Sequence, residues 1–364
     1  MSEFTFRNEL TAPEFTHLLT HLEECSRQQR DEADAWPAEQ LKAMSDYGVM
    51  TWDVPEGLGG SGFSNLDLLE GLRQLSSACL LSTFVLTQRN AAVRRIITSD
   101  NLELRDRLLP DLRDGRSFAT VAISHLTTSG KHLKQPLVVA VPDGDGFRLN
   151  GVAPWATGAT QAESLVTGGS LDDGRELLFC LPTNREGVFV EQPVSLLGLN
   201  ASQTGAVRLN DVSISRQEVL HGPVAGVMNQ GSGGGAGSLG TTALALGMTQ
   251  GVLRKLSLEA QRREDLNEFL VPLQTECMDL SERFRQTASR SNGLTDEQFL
   301  RTAANSLVLR SAQTWLAATK GAGYVSGHPA ERAVRESLFF LVWSCPQPVL
   351  AANLRDLSCR SRHV

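Results

Sequence analysis

Residues 136–159 read PLVVAVPDGDGFRLNGVAPWATGA, and the spacing of apolar and turn residues in this stretch decides the fold. Two apolar runs flank a Pro-Asp-Gly-Asp-Gly segment. Asp-Gly pairs reach the positive-φ backbone that tight hairpin turns demand, so the stretch predicts two antiparallel strands. Similar short runs follow: ESLVTGG (163–169), ELLFCL (176–181), GVFVEQPV (187–194) and AVRLNDVSI (206–214), with a further Asp-Gly turn in DDGRE (172–176). From about 117 to 220 the period is that of strands, with spacing that suits an antiparallel barrel or sandwich. The strand–helix alternation that a Rossmann unit needs is missing.

On either side the period becomes helical. EFTHLLTHLEECSRQ (14–28) carries Phe15, Leu18, Leu19 and Leu22 at helical spacing, and AEQLKAMSDYG (38–48) stops at Gly48. In DVPEGLGGSGFSNLDLLEGLRQL (53–75) a Pro/Gly-rich loop gives way to a helix capped by Ser64 or Asn65. LELRDRLLPDLRDG (102–115) closes the first region. Beyond QGSGGGAGSLG (230–240), ALALGMTQGVLRKLSLEAQ (243–261) and EQFLRTAANSLVLRSAQTWLAAT (297–319) are amphipathic helices. The order predicts an α+β multidomain chain with a helical region over 1–116, a β-domain over 117–222 and a helical region over 238–364. The glycine-rich link lacks GxxxxGK[ST] and no hydrophobic strand of a βαβ unit precedes it, so it reads as a connector.

Bulk properties exclude several function classes. The net charge of -7 repels phosphate backbones, and no basic stripe offsets it, so no nucleic-acid role is expected. The start, MSEFTFRNELTAPEF, lacks the basic and apolar stretches of a signal peptide, and no window is long and apolar enough to span a bilayer. The six cysteines, Cys25, Cys79, Cys180, Cys277, Cys345 and Cys359, form no CxxC pair. That argues against a metal site or a disulfide framework and fits reduced thiols in a cytoplasm.

Several segments, in order from about residue 35 to residue 357, resemble the acyl-CoA dehydrogenase family. VPEGLGGSG resembles its Pro-Glu-x-x-Gly-Gly loop, and LRDRLLPDLRDGRSFATVAIS resembles the helix that runs into its first strand. GFRLNGVAPWATGA is similar to the Leu-Asn-Gly … Trp-Ile-Thr-Asn segment, and LLGLNASQTGAVRLNDVSI to the Gly-x-Arg-x-Ser-x-Thr strand pair. GAGYVSGHPAERAVRES resembles Gly-Gly-x-Gly-Tyr followed by Pro-x-x-Arg-x-x-Arg-Asp. The resemblance implies a helical N-domain, an antiparallel β-barrel middle domain and a C-terminal four-helix bundle. It also implies FAD, a small-molecule substrate with an acyl-CoA thioester as the family default, a homodimer or homotetramer, and an electron-transfer flavoprotein as partner.

The resemblance assigns roles residue by residue. Trp155 and Thr157 fall on the family's Trp-x-Thr, with the indole beside the flavin and the hydroxyl at its N5; without the family, Trp155 is a core aromatic at a strand end. Ser124 keeps a hydroxyl for the pyrimidine side of the flavin. His125 replaces the family glutamate beside it, either as a loop histidine or as a catalytic group. Ser129 stands where a serine meets the phosphate-bearing tail of the substrate. Arg263 aligns with the arginine that pairs with the flavin diphosphate across the dimer, though a solvated helix-face arginine reads equally well, and Gln274 falls on a family glutamine. Gly321, Gly323 and Tyr324 match the loop over the partner's adenosine, with Lys320 in place of its first glycine. Arg332 and Arg335 are expected to tie helices together by ion pairs.

Acyl-thioester dehydrogenation needs a carboxylate to take the α-proton. Counting on from Arg335, the family's Tyr-Glu-Gly-Thr falls on Val342 to Cys345, with Trp343 at the glutamate; Gln347 and Arg355 support that register. The alternative base position, on an earlier helix, lands near Gly237. Neither is a carboxylate. Three readings stay open: a dehydrogenase whose base is His125 or another acid, a flavin-dependent monooxygenase served by a flavin reductase, and a non-catalytic or cofactor-free relative.

Overall fold

The computed structural model describes residues 4–127, 135–230, 239–290 and 294–359. The first region holds α1 (Pro13–Gln28), α2 (Ala38–Asp46), α3 (Asn65–Ala78), α4 (Leu80–Ile97) and α5 (Leu102–Arg113). Along α1, Phe15, Leu18 and Leu22 are buried, one face of the helix as their spacing requires. Gly48 follows α2 with φ 90°, and the Ser64 side chain caps α3 by accepting from the Asp67 N–H. Arg89 of α4 is buried and donates to the carbonyls of Met50 (3.0 Å) and Leu112, tying the loop after α2 and the end of α5 to one helix. Burial depresses that guanidinium to about 10.

The middle region contains β1 (Ala119–Ala122), the short α6 (Ser124–Thr127), β2 (Val138–Asp143), β3 (Gly146–Thr157), β4 (Ser164–Ser170), β5 (Glu176–Pro182), β6 (Val188–Val190), β7 (Thr204–Ile214) and β8 (Val219–Val224). They form one sheet in the order β6-β7-β3-β2-β4-β5-β8, with β1 beside β4. The expected antiparallel barrel is corrected on two points. The sheet is mixed, because β1 and β2 each run parallel to β4. It is also an open path, with no pairing of β6 to β8 among the described residues. The physical reason lies in the connections. A strand leaving through a helix, as β1 does through α6, can return parallel, whereas the Asp-Gly turn joins β2 to β3 as an antiparallel hairpin.

The third region has α7 (Leu239–Ala260), α8 (Asn267–Ala288), α9 (Leu294–Gly323), α10 (Pro329–Leu338) and α11 (Gln347–Leu357). In place of a self-contained four-helix bundle, the described residues hold five helices here, and α7 packs against α3 of the first region as well as against α8 and α9. One apolar core joins Phe15, Leu22 and Leu75 to Leu244, Leu256 and Leu307. Each such buried leucine or phenylalanine contributes roughly 1.5–3 kcal/mol over exposure. The α3–α7 approach is close because two glycines face backbone. A Cβ on Gly247 would lie 2.1 Å from the Arg73 carbonyl oxygen, and one on Gly251 would lie 2.4 Å from that of Ser77. A second core lies within the sheet, around Leu149, Leu165, Phe179 and Val207. A third packs Ile96, Leu104 and Leu112 of α4 and α5 on Val166 and Cys180. Near the end of α9, Lys320 holds φ 55° and ψ -146°, a backbone that glycine adopts freely and lysine does not. No helix of the described residues is long and apolar enough to cross a membrane.

Candidate active site between helices and sheet

The three regions meet around a cavity of about 910 Å³, within the size range of pockets that hold cofactors and small molecules. Leu69 and Leu72 of α3 and Phe84, Thr87 and Gln88 of α4 line one side. The sheet supplies Val121, Trp155, Thr157 and Thr204, the short α6 supplies Ser124, and the third region supplies Leu239 to Thr241, Glu297 and Leu338 to Ser344 except Phe340.

The sheet side is built by irregularity in β3. Its pairing with β7 shifts register between Ala153 and Ala156, which turns Trp155 to the cavity, 47% exposed. Thr157, two residues on, is buried; its hydroxyl lies 3.0 Å from that of Thr204, which lies 2.8 Å from Ser202. Ser124, at the start of α6, has a buried hydroxyl with no hydrogen-bond partner among the described residues. An orphaned buried hydroxyl costs about 1–3 kcal/mol, so a ligand that engages it recovers that energy. The rim opposite is held by Arg335, which bonds to Glu331 (2.5 Å), Asp31 and the Leu197 carbonyl (3.0 Å), while the Asn200 N–H donates to Asp31 (2.8 Å). Arg332 pairs with Glu336 within α10 at 2.6 Å and reaches α1 through a hydrogen bond to the Ser26 carbonyl (2.8 Å), so the expected helix-to-helix ion pair is a hydrogen bond there, and the Arg335 ion pair to Asp31 meets the segment after α1.

An aromatic wall closes the helical side. Trp343 stacks on Phe339 (centroids 4.8 Å apart, planes at 17°) and meets Phe84 edge-on (5.0 Å, 80°). Offset and edge contacts of this kind add about 0.5–1.5 kcal/mol each beyond area burial. Arg301 of α9 holds the segment from behind, donating to the Trp343 carbonyl at 2.9 Å, and Asn305 donates to the Phe340 carbonyl at 3.0 Å.

Of the residues singled out from sequence, Ser124, Trp155, Thr157 and Trp343 come together in the cavity. Arg335 and Val342 line it too, and the other described candidates lie elsewhere. His125 is buried, not a loop histidine; its Nε2–H donates to the Gly168 carbonyl (2.9 Å), burial lowers its pKa, and it does not line the cavity. Arg263, at the end of α7, donates to the Ala318 carbonyl (2.9 Å) and pairs with Asp265 (3.0 Å). Gln274 is half-buried on α8, Gln347 is exposed at the start of α11, and Gly321 and Gly323 end α9. Ser129 and the glycine link with Gly237 lie outside the described residues. Sequence reasoning missed Glu297, the single carboxylate among the described lining residues. Desolvation raises its pKa. No local motif marks it, since only the packing of α9 brings it to the cavity. Away from the cavity, His21, Cys25 and Glu39 lie together on α1 and α2. Burial first, with Glu39 adding, pushes that thiol up to about 11.

This architecture, with a ligand-sized cavity enclosed by helices on one side and sheet on the other, agrees with what the comparisons give. The family model for the acyl-CoA dehydrogenase N-terminal domain matches residues 19–116. The mitochondrial short-chain specific acyl-CoA dehydrogenase of Mus musculus is 24% identical over 328 residues, covering 85% of this chain and 79% of its own. Two solved structures share the fold. Glutaryl-coenzyme A dehydrogenase in its glutaryl-CoA complex has a TM-score of 0.81 at 18% identity, covering 100% of this chain and 98% of that one. Butyryl-CoA dehydrogenase from Megasphaera elsdenii has a TM-score of 0.81 at 15% identity, with 98% and 100% covered. Together these likenesses support membership of the acyl-CoA dehydrogenase family.

Proposed function

We propose that this chain is an FAD-dependent oxidoreductase that acts on CH–CH groups, as its dehydrogenase relatives do, with an acyl thioester as substrate. The observation that carries this is the cavity itself: an aromatic wall faces a sheet edge bearing an unpartnered hydroxyl, with a ligand-sized space between. Ser124 fits a flavin because its orphaned hydroxyl can donate to a ring carbonyl or accept from a ring N–H. Trp155 offers a flat apolar face, and Thr157 adds a hydroxyl beside it. Bound flavin supplies the hydride acceptor. Phe84, Phe339 and Trp343 keep that half of the cavity apolar and limit water there.

Arg263, Gln274, Gly321, Gly323 and Gln347 do not reach this cavity, so their proposed role is toward the diphosphate and adenosine of a second subunit's cofactor in a homodimer or homotetramer. An electron-transfer flavoprotein is the proposed acceptor of the electrons, and the cytoplasm the proposed location. The aromatic Trp343 in place of the usual glutamate favours one second reading, a flavin monooxygenase in which a dry pocket protects reduced flavin.

The visible spectrum of the purified protein, with and without added FAD, is the first test. Anaerobic addition of acyl-CoA esters of graded chain length should bleach the flavin. A colourless protein that takes up no FAD overturns both readings. A yellow protein that no ester bleaches, but that forms product with oxygen and a flavin reductase, selects the monooxygenase.

A further inference from the structure

We infer that Glu297 is the base that takes the α-proton of a carbonyl substrate in the cavity, an inference that rests on the oxidoreductase reading above. Glu297 lines the cavity, no other carboxylate among its described lining residues does, and it has no ion-pair partner among the described residues. Its position on α9 puts it near the segment where sequence counting looks for a base. Arg301 follows four residues later, one helical turn or about 6 Å along the axis, on the same face. The Arg301 guanidinium donates to the Trp343 carbonyl. The face that braces Trp343 from behind therefore carries a carboxylate one turn nearer the helix start, where it enters the same space as Trp343, Ser344 and Val342. The glutamate missing from 342–345 is thus replaced from a neighbouring helix.

The surroundings strengthen this carboxylate as a base. Desolvation raises the carboxyl's pKa, which makes it a stronger proton acceptor. The other charged groups around it are engaged: Arg94 with Asp53, Arg335 with Glu331 and Asp31, and Asp296 of the same turn with Arg283. Arg301 donates through Nε and Nη2 to the Asn305 side chain and the Trp343 carbonyl, while its buried Nη1 has no partner among the described residues. In the step itself, the Cα–H bond breaks and its proton goes to the Glu297 carboxylate. The bonding pair moves into the enolate conjugated with the thioester carbonyl, and reversal returns a proton to Cα. Glu297 is only half-buried, so it trades that proton with water.

The test separates this step from flavin reduction. Holoprotein is incubated anaerobically in H2O with butyryl-CoA and with octanoyl-CoA, each dideuterated at Cα, and loss of deuterium is followed by mass spectrometry. Wild type should wash out the label. Glu297→Gln should retain its flavin absorbance and wash out the label about 100-fold more slowly or worse, the range for removing a general base. Glu297→Asp, with the carboxyl one carbon shorter, should fall between.

A second readout needs no turnover. A folded-state pKa above the unfolded value favours the protonated form. Wild type therefore loses stability relative to Glu297→Gln as pH rises through the carboxyl's titration, and the two converge below it. Equal exchange by wild type and Glu297→Gln overturns the inference while leaving the oxidoreductase reading intact. A melting-temperature difference that does not change with pH overturns the placement of the carboxyl. A wild-type flavoprotein that neither bleaches nor exchanges with either ester overturns the dehydrogenase reading, and this inference with it.

Discussion

Substituting Gly247 by alanine tests the packing that brings the cavity walls together. An alanine in a helix interior normally gains about 0.8–1.0 kcal/mol over glycine. Here the new methyl would lie 2.1 Å from the Arg73 carbonyl oxygen and 2.9 Å from the Ser76 Cβ, so α3 and α7 must part by roughly 1.3 Å to restore an ordinary contact. The obstacle is backbone, which has no rotamer to escape into. Overpacking costs about 1–3 kcal/mol and more where nothing can yield, so the net loss is about 2 kcal/mol, a fall in Tm of about 2–3 °C for a chain of this length. The parting also stretches the bond from the Ser76 hydroxyl to the Leu244 carbonyl, 2.8 Å long. Scanning fluorimetry of Gly247→Ala beside Gly321→Ala, whose methyl meets nothing within 4 Å, reads the difference directly. Gly321→Ala should melt with wild type or slightly above it. If Gly247→Ala is as stable as Gly321→Ala, the close α3–α7 crossing described above is wrong.

Three further outcomes follow from other particulars. Ser124→Ala relieves an unpartnered buried hydroxyl and should stabilise the apoprotein by about 1 kcal/mol or more, yet weaken FAD binding about five-fold, one hydrogen bond's worth; fluorescence titration with unchanged affinity would remove Ser124 from the flavin site. Lys320→Gly relieves a positive φ and should raise the urea midpoint by the equivalent of about 1 kcal/mol, and a lower midpoint would refute the strain. Burial pushes the Cys180 thiol up to about 12 and Cys359 is exposed, so timed iodoacetamide labelling at pH 8, read by peptide mass spectrometry, should mark Cys359 first and Cys180 only after unfolding. Early labelling of Cys180 would contradict its burial.

Much of the fold is legible in local pattern, because local pattern is what fixes it. The Asp-Gly turn at 143–146 joins β2 to β3, the Ser64 cap starts α3, and Gly48 carries the positive φ after α2. Strand direction beyond the hairpins is set by long connections, so the parallel pairing of β1 with β4 was illegible. The division into an N-domain and a C-domain also misses that α3 and α7 share one core, since an amphipathic face does not state its partner. In the cavity, Ser124, Trp155 and Thr157 sit close in sequence to recognisable motifs. Glu297 and Leu196 to Leu199 do not; they reach the cavity through α9 and through the bonds from the Asn200 N–H to Asp31 and from Arg335 to the Leu197 carbonyl, whose partners are far apart in the chain.

The core common to α3 and α7 has a consequence for how the chain is made. Ser76 and its partner Leu244 are 168 residues apart. At about 5–20 residues per second on the ribosome, the apolar face of α3 waits on the order of ten to thirty seconds for α7 to be synthesised. During that interval the first five helices have an exposed surface that only the last third of the chain can cover. Nascent chains arrested before residue 239 should therefore be the form most dependent on chaperones; the release of α7 from the exit tunnel lets α3 find its partner, and the cavity is complete only once Glu297 and residues 338–344 have followed.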